Sequence, residues 1–168
     1  MILNGRLPLD PIAEARRNWV EHGWTEAAEG MVAVTSIMRA QQILLARVDA
    51  ALREHSLTFA RYETLMLLRF SKTGALPMRV IGSRLQVHPT SVTNAVDRLE
   101  KDGFVRRDPH PSDRRAVLVS LTPSGREAAE AATRQVNAQV FSGIGLTDAE
   151  LADLTRALDK LRQSAGDF

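Results

Sequence analysis

The sequence predicts a mainly α-helical protein with one small β-hairpin. Apolar residues recur at helical spacing through most of the 168 residues. Residues that cap helix N-termini, such as Asp10, Thr122 and Thr147, stand directly before these periodic stretches. Only in residues 105–121 do apolar and polar residues alternate as they do in a pair of β-strands. The length suits one compact domain with a core of its own.

The N-terminal part predicts two helices. Asp10 caps the first helix, Pro11 stands at its first position, and the helix runs to about Glu21, before Gly23. The second helix is long and runs from about Thr25 to His55. Its main stripe has a 3-4 spacing broken at Gln41 and consists of Met31, Val34, Met38, Leu45, Val48 and Leu52. A second stripe consists of Ala33, Ile37, Ala40, Leu44 and Ala51. A helix that is apolar on two sides is expected between two layers.

The later helices carry the same signals. Thr58 is the expected cap of the helix that follows, with Leu57 and Tyr62 as a hydrophobic staple. Thr147 and Glu150 form a capping box, after which leucines recur at heptad spacing at positions 151, 154, 158 and 161. Heptad segments at both ends of the chain can pack against each other internally. We favour the alternative, a homodimer in which the N- and C-terminal helices of two chains interlock.

Residues 78–103 predict two short helices separated by a turn. Met78, Ile81 and Leu85 face inward on the first, and Gly82 lets the second cross closely. The second begins at His88 and Pro89 and ends at Gly103. Its buried positions are Val92, Ala95, Val96 and Leu99, and its outward residues, here called the polar arc, are Thr90, Ser91, Thr93, Asn94, Asp97, Arg98 and Lys101. The polar arc suits either plain solvation or contact with phosphates and base edges in a DNA major groove.

The hairpin favours the nucleic-acid interpretation. Strand residues 105–107 lead to a tip at 108–115, and Val117, Val119 and Leu121 alternate on the returning strand. Two prolines in the tip and arginines at both of its shoulders make a stiff, positive projection, and residues 105–121 are here called the wing. An arginine at such a tip can enter a minor groove. Asp113 would orient Arg115 through a charge-assisted pair.

The charge distribution agrees with this interpretation. The formal net charge is only +2, but residues 1–50 carry −1, residues 51–115 carry +5 and residues 116–168 carry −2. The absence of cysteine excludes disulfides, thiolate metal sites and thiol-based sensing. The four histidines lack metal-ligand spacing, and no cofactor site or catalytic set is recognisable, so we expect no enzyme. No apolar run reaches the length of a membrane span and no signal peptide is evident, which predicts a cytoplasmic protein.

Residues 57–125 resemble the MarR family of winged helix-turn-helix regulators. The resemblance is carried by residues 87–93, by 97–107, and by Pro111-Ser112-Asp113-Arg114-Arg115 followed by Leu121-Thr122-Pro123. Gln86 departs from it, because the family usually has glycine in that turn. The resemblance implies dimerisation helices at 1–56 and 122–168 around a DNA-binding lobe at 57–121, all forming one compact unit. The DNA-binding residues predicted from the motif and the polar arc are His88, Thr90, Ser91, Thr93, Asn94, Arg98, Arg106, Asp113, Arg114 and Arg115.

The resemblance also implies a small effector, often an aromatic anion. The extra N-terminal helix with Trp19 is similar to that of a subgroup that includes urate-responsive regulators, but Ala95 stands where an arginine is expected there, which argues against urate. The candidate effector-binding residues are Trp19, Met38, Arg39, Tyr62, Glu63 and Met66, and ordinary packing is the alternative for each. We therefore expect a homodimeric repressor that binds a pseudo-palindromic operator in double-stranded DNA and is released by a small ligand. The alternative is an architectural DNA-binding protein without an effector.

Overall fold

A computed structural model describes residues 7–109, 113 and 116–168. The chain divides into two compact units at the boundary between Arg47 and Val48. This boundary falls inside a long helix, so the last turns of that helix belong to the second unit. The predicted division at 56 and 121 rests on the family resemblance and stays a prediction.

The first unit contains helix α1, Pro11–Glu21, and most of helix α2, Thr25–Leu52. The Asp10 carboxylate accepts a hydrogen bond from the Ile12 amide at 2.9 Å, which confirms the predicted cap. Gly23 adopts a φ of 82° between the helices. Helix α2 follows the prediction except at its end, where Arg53–His55 form a 3₁₀ turn.

In the described residues of the second unit, five further helices and three short strands are present. They are α3 Phe59–Phe70, β1 Ala75–Pro77, α4 Met78–Leu85, α5 Pro89–Lys101, β2 Val105–Pro109, β3 Val117–Leu121, α6 Pro123–Gln139 and α7 Asp148–Ser164. A 3₁₀ turn, Phe141–Gly143, follows α6. Within the described ranges, these helices and the strand pair match the mainly α architecture with a β wing.

The strands form one antiparallel sheet in the order β1-β3-β2. Arg107 lies opposite Val119 in the β2–β3 pair, and Leu76 lies opposite Val119 on the other side. The sequence prediction of a two-stranded hairpin was therefore incomplete. Strand β1 has only three residues and ends in proline, so it shows no alternation of its own and forms by pairing with β3.

One hydrophobic core lies between the end of α2, helices α3 to α6 and strand β3. Its fully buried members include Leu52, Leu65, Leu68, Ile81, Val96, Leu99, Val119, Ala129, Ala132 and Val136. Of the four positions of α5 predicted to be buried, Val92, Val96 and Leu99 are buried, whereas Ala95 is only half-buried. On β3 the expected alternation is only partial, because Val119 is buried while Val117 is exposed.

The helix caps of the second unit differ from the prediction at one place. Thr147 and Glu150 form the predicted capping box, and the Thr122 hydroxyl accepts a hydrogen bond from the Gly125 amide at 3.0 Å. Thr58, however, makes no side-chain cap. The Asp49 carboxylate near the end of α2 accepts from the Phe59 amide at 2.9 Å instead, which ties α3 to α2. A cap supplied from another helix cannot be read from adjacent residues.

No helix in residues 7–109 or 116–168 is long and apolar enough to cross a membrane.

Candidate nucleic-acid interface

Helices α4 and α5 cross closely around Gly82. A Cβ atom at Gly82 would lie 3.3 Å from Val92 Cγ2, so the crossing leaves little room for a larger residue. The turn between the helices passes through Gln86, which adopts a left-handed conformation with φ 52° and ψ 38°. This conformation favours glycine, which is the residue that the resemblance described above leads us to expect there. The Gln86 side chain donates a hydrogen bond to the Asp167 carbonyl at 3.3 Å.

The N-terminus of α5 is ordered by its own side chains. His88 is the N-cap, and its Nδ1 accepts from the Thr90 amide at 3.3 Å. Pro89 occupies the first helical position, and the Thr93 hydroxyl donates to the Pro89 carbonyl at 3.0 Å. His88 therefore acts as a helix cap, a role additional to the DNA contact predicted for it.

The polar arc is exposed along its whole length. All seven of its residues are exposed, while Val92, Val96 and Leu99 on the opposite side are buried. Arg98 makes no ion pair or hydrogen bond with any residue in the part of the chain that the structure describes. The arc thus combines hydroxyls and an amide near a helix N-terminus with an available guanidinium farther along, a set that can contact phosphates and base edges.

The C-terminus of α5 leads directly into the wing. The Gly103 amide donates to the Glu100 carbonyl at 2.9 Å and the Phe104 amide to the Leu99 carbonyl at 2.9 Å, which is the predicted Schellman stop. The Thr122 hydroxyl donates toward the Gly103 and Phe104 carbonyls at 2.8 and 2.9 Å. The turn between α5 and β2 is thereby held against the start of α6.

The two arginines of β2 have different surroundings. Arg106 pairs with Asp108 at 2.9 Å, and its side chain is 71% exposed. Arg107 is 24% exposed and bridges two carboxylates of α5, Asp97 and Glu100, each at 2.5 Å. Burial alone would lower the pKa of Arg107, but the hydrogen bonds to Asp97 and Glu100 raise it. The sequence prediction missed Arg107, although the three-residue spacing of Asp97 and Glu100 puts both on one helix face.

The wing tip is described only in part. Arg114 and Arg115, both predicted to contact DNA, lie outside the described residues. The Asp113 carbonyl accepts from the Ala116 amide at 3.0 Å. The pairing of Asp113 with Arg115 therefore stays a prediction, as do the DNA contacts of both residues.

The candidate effector-binding residues divide between the two units. In the first unit, Trp19 packs edge-on against Trp24 with ring centroids 5.1 Å apart. Met38 is 61% exposed, and Arg39 donates to Gln42 at 3.4 Å.

In the second unit, Tyr62 and Met66 pack around Thr133. The Tyr62 and Thr133 hydroxyls lie 3.0 Å apart, and the Thr133 hydroxyl lies 3.3 Å from the Met66 sulfur. Glu63 is partly exposed, and burial raises the pKa of its carboxyl. Tyr62 is 6% exposed and belongs to the core, so for this residue packing is demonstrated and ligand contact stays a prediction.

The three-stranded sheet, the crossed helices and the exposed arc define a winged helix-turn-helix protein. A family model described as MarR family matches residues 57–117. The structure has a TM-score of 0.77 to Sco5413, a MarR family transcriptional regulator from Streptomyces coelicolor. The two sequences are 52% identical, and the match covers 83% of this chain and 97% of that one. The chain belongs to the MarR family.

Two further proteins resemble the chain. Sco3205, a MarR family transcriptional regulator from Streptomyces coelicolor whose structure is in complex with DNA, has a TM-score of 0.71 and 27% identity, covering 82% of this chain and 88% of that one. ML2140 of Mycobacterium leprae, named an HTH-type transcriptional regulator, is 41% identical over 68 residues, which are 40% of this chain and 48% of the relative. The chain thus spans about half the length of this curated relative, in contrast to its near-complete coverage of Sco5413.

Proposed function

We propose that the protein is a cytoplasmic, sequence-specific regulator of transcription that binds double-stranded DNA. The observation that carries this proposal is the exposed polar arc of α5. The opposite face of the helix is buried in the core, and the chain continues from α5 into the wing. The match to Sco3205, solved with DNA, supports it. The hydroxyl and amide residues Thr90, Ser91, Thr93 and Asn94 lie at the end of α5 that would read bases. Arg98, Arg106, Arg114 and Arg115 would contact phosphates or a minor groove, with Asp113 orienting Arg115.

Sequence selectivity tests this function. A duplex selected by the protein from a random library should be pseudo-palindromic and should bind at least about 1,000-fold more tightly than random duplex at physiological salt. Fluorescence anisotropy with competing unlabelled duplexes measures the ratio. Equal competition by random duplex would overturn the regulator and favour the architectural alternative.

Two arginine variants locate the interface. Arg98→Ala and Arg115→Ala should each weaken binding and reduce the slope of log K against log salt by about 0.9, because each removes one phosphate neutralisation. Arg16→Ala is the matched control, since Arg16 pairs with Glu29 at 2.5 Å within the first unit and leaves the wing and α5 untouched. An unchanged slope in the Arg115 variant would argue against a wing contact.

We further propose that the protein acts as a homodimer. Helix α2 exposes Val34, Met38 and Leu45 of its heptad stripe, and α7 exposes Leu154 and Leu161 of its own. Exposed apolar residues at heptad spacing are typical of helices that pack against a second chain. A two-fold dimer would present two α5 helices to half-sites about one helical turn apart.

The effector proposal is that a small aromatic anion releases the protein from DNA and relieves repression. The ligand would bind the dimer that cannot engage DNA roughly 100-fold more tightly than the dimer that can. This preference corresponds to a coupling free energy of about 2.7 kcal/mol between ligand binding and DNA binding. A thermal-shift screen with aromatic acids and purines should find a compound that both stabilises the protein and releases the selected duplex. Because the two tryptophans pack together, binding near Trp19 should also change the intrinsic fluorescence. Compounds that stabilise the protein without releasing the duplex would contradict this proposal.

A further inference from the structure

Three charged groups join the second helix of the helix-turn-helix to the wing. Arg107 of β2 places Nη2 2.5 Å from Asp97 Oδ1 and Nη1 2.5 Å from Glu100 Oε2. Its main-chain amide also donates to Glu100 Oε1 at 3.0 Å. Both oxygens of one carboxylate and one oxygen of the other are therefore committed to a single residue of the wing. We call Asp97, Glu100 and Arg107 the arginine clamp.

The position of β2 explains the amide contact. This strand lies at the edge of the sheet, with β3 on one side only. The outward amide of Arg107 has no neighbouring strand, and the Glu100 carboxylate supplies its acceptor. Because the guanidinium fork matches two acceptors at once, the contact fixes direction as well as distance.

Arg107 differs from the arginines that are available for DNA. Its side chain is 24% exposed, against 71% for Arg106. Two of the five N–H donors of its guanidinium are held by carboxylates, and the other three belong to a side chain that is only 24% exposed. Its geometry therefore suits a role within the protein.

We propose that the arginine clamp fixes the angle between α5 and the wing, so that both engage one duplex together, and that Arg107 is a positioning residue that does not contact DNA. The proposal rests on the proposed function, because it concerns the same DNA-binding surface. The clamp adds no phosphate contact of its own and acts by holding the two contacting elements in one arrangement.

Opposite charge changes test the clamp. Arg107→Gln and Glu100→Ala should each weaken binding to the selected duplex by about tenfold, although one removes a positive and the other a negative charge. The double variant should bind no more weakly than Arg107→Gln alone, because both changes break the same contact. If Arg107 instead contacts a phosphate, Arg107→Gln should lower the salt slope by about 0.9 and Glu100→Ala should tighten binding. Either of these results would overturn the clamp.

Arg107→Lys gives a second, milder test. Lysine keeps the positive charge but cannot bridge both carboxylates with a planar fork. The clamp predicts weaker specific binding with an unchanged salt slope. Full wild-type affinity in Arg107→Lys would show that charge alone is required, which would also overturn the proposal.

A matched ion pair controls for loss of stability. Arg69 of α3 pairs with Glu130 of α6 at 3.2 Å, and although Arg69 is more exposed than Arg107 this ion pair also joins two elements of the second unit while touching neither α5 nor the wing. Arg69→Gln and Glu130→Ala should leave specific affinity and the specificity ratio unchanged at a temperature where all variants are folded by circular dichroism. An equal loss of affinity in these controls would show that the clamp variants act through a general loss of stability, which would overturn the proposal. Failure of the wild-type protein to prefer any duplex would overturn the proposed function itself, which is a different result.

Discussion

The winged lobe and the long helix α2 contain similar apolar residues, but the lobe buries them and much of α2 leaves them exposed. In the lobe, Ile81, Leu99 and Val119 are fully buried. On the part of α2 that belongs to the first unit, Val34 is 58% exposed and Met38 is 61% exposed. The lobe therefore completes a core within one chain, whereas this stretch of α2 leaves its apolar stripe open to water.

The difference indicates which part of the fold the proposed homodimer would stabilise. Burial stabilises by about 25 cal/mol for each Å² of apolar surface, and the lobe obtains this stabilisation from its own elements. Helix α7 resembles α2, because Leu161 is 53% exposed on its heptad stripe. We infer that the lobe is stable through internal packing, and that α2 and α7 gain stability from a second copy of the chain.

The largest expected effect comes from the close contact between α6 and the turn before β2, where helix α6 packs against the lobe. A Cβ atom at Gly125 would lie 1.9 Å from the Phe104 carbonyl oxygen and 3.0 Å from Leu121 Cδ1. Gly125→Ala forces α6 away from the turn before β2 and should lower the free energy of unfolding by about 3 kcal/mol. Urea unfolding followed by circular dichroism measures the change.

Gly143→Ala is the control for this variant. A Cβ atom at Gly143 meets no atom within 4 Å in the described structure, so the substitution should change stability by less than about 0.5 kcal/mol. Equal effects at both glycines would contradict a self-contained, closely packed lobe.

The second prediction concerns α2. Replacing Val34 and Met38 by glutamate places charges on the heptad stripe and should weaken dimerisation by at least about 100-fold, or about 2.7 kcal/mol. Sedimentation equilibrium measures the change, and the far-ultraviolet circular dichroism spectrum should be retained.

Ser36→Glu is the matched control, because Ser36 lies on the side of α2 opposite Val34 and Met38. This variant should remain dimeric at the same concentration. A fully dimeric double variant would show that α2 does not form the interface, and the contrast between α2 and the lobe would need another explanation.

The sequence predicted the lobe well where the signals were local. The caps at Asp10, Thr122 and Thr147 and the Schellman stop at Gly103 all depend on residues within a few positions of one another. The buried face of α5 followed from helical periodicity.

The features that were missed depend on contacts between distant segments. Strand β1 forms because Leu76 pairs with Val119, and Asp49 caps α3 in place of Thr58. Arg107 received no predicted role, because the spacing of Asp97 and Glu100 shows that they share a helix face but not that a strand arginine lies against it. Tertiary pairing decided each of these features, and adjacent residues could not predict it.

A smaller effect is expected at the turn of the helix-turn-helix. Gln86 has φ 52°, a conformation that costs a side-chain-bearing residue about 1 kcal/mol relative to glycine. Gln86→Gly should therefore be more stable than Gln86→Ala by about 1 kcal/mol, the reverse of the order in a helix interior. Thermal unfolding of the two variants measures the difference, and both lose the hydrogen bond to Asp167 equally. A more stable alanine variant would show that the turn relaxes out of the left-handed region.

The smallest effect concerns Glu63, a glutamate of the lobe whose pKa is raised by burial. Because the pKa of Glu63 in the folded state lies above its ordinary value of 4.5, the charged carboxylate destabilises the fold at neutral pH. This penalty is fully present above the folded-state pKa and disappears as the pH falls below 4.5. Glu63→Gln should thus stabilise the protein at pH 7 by well under about 1 kcal/mol, since the group keeps part of its hydration, and should have no effect near pH 4. Urea unfolding at both pH values measures the gain, with the exposed Glu127→Gln as control. A loss of stability at pH 7 would show that Glu63 makes a favourable contact outweighing its burial.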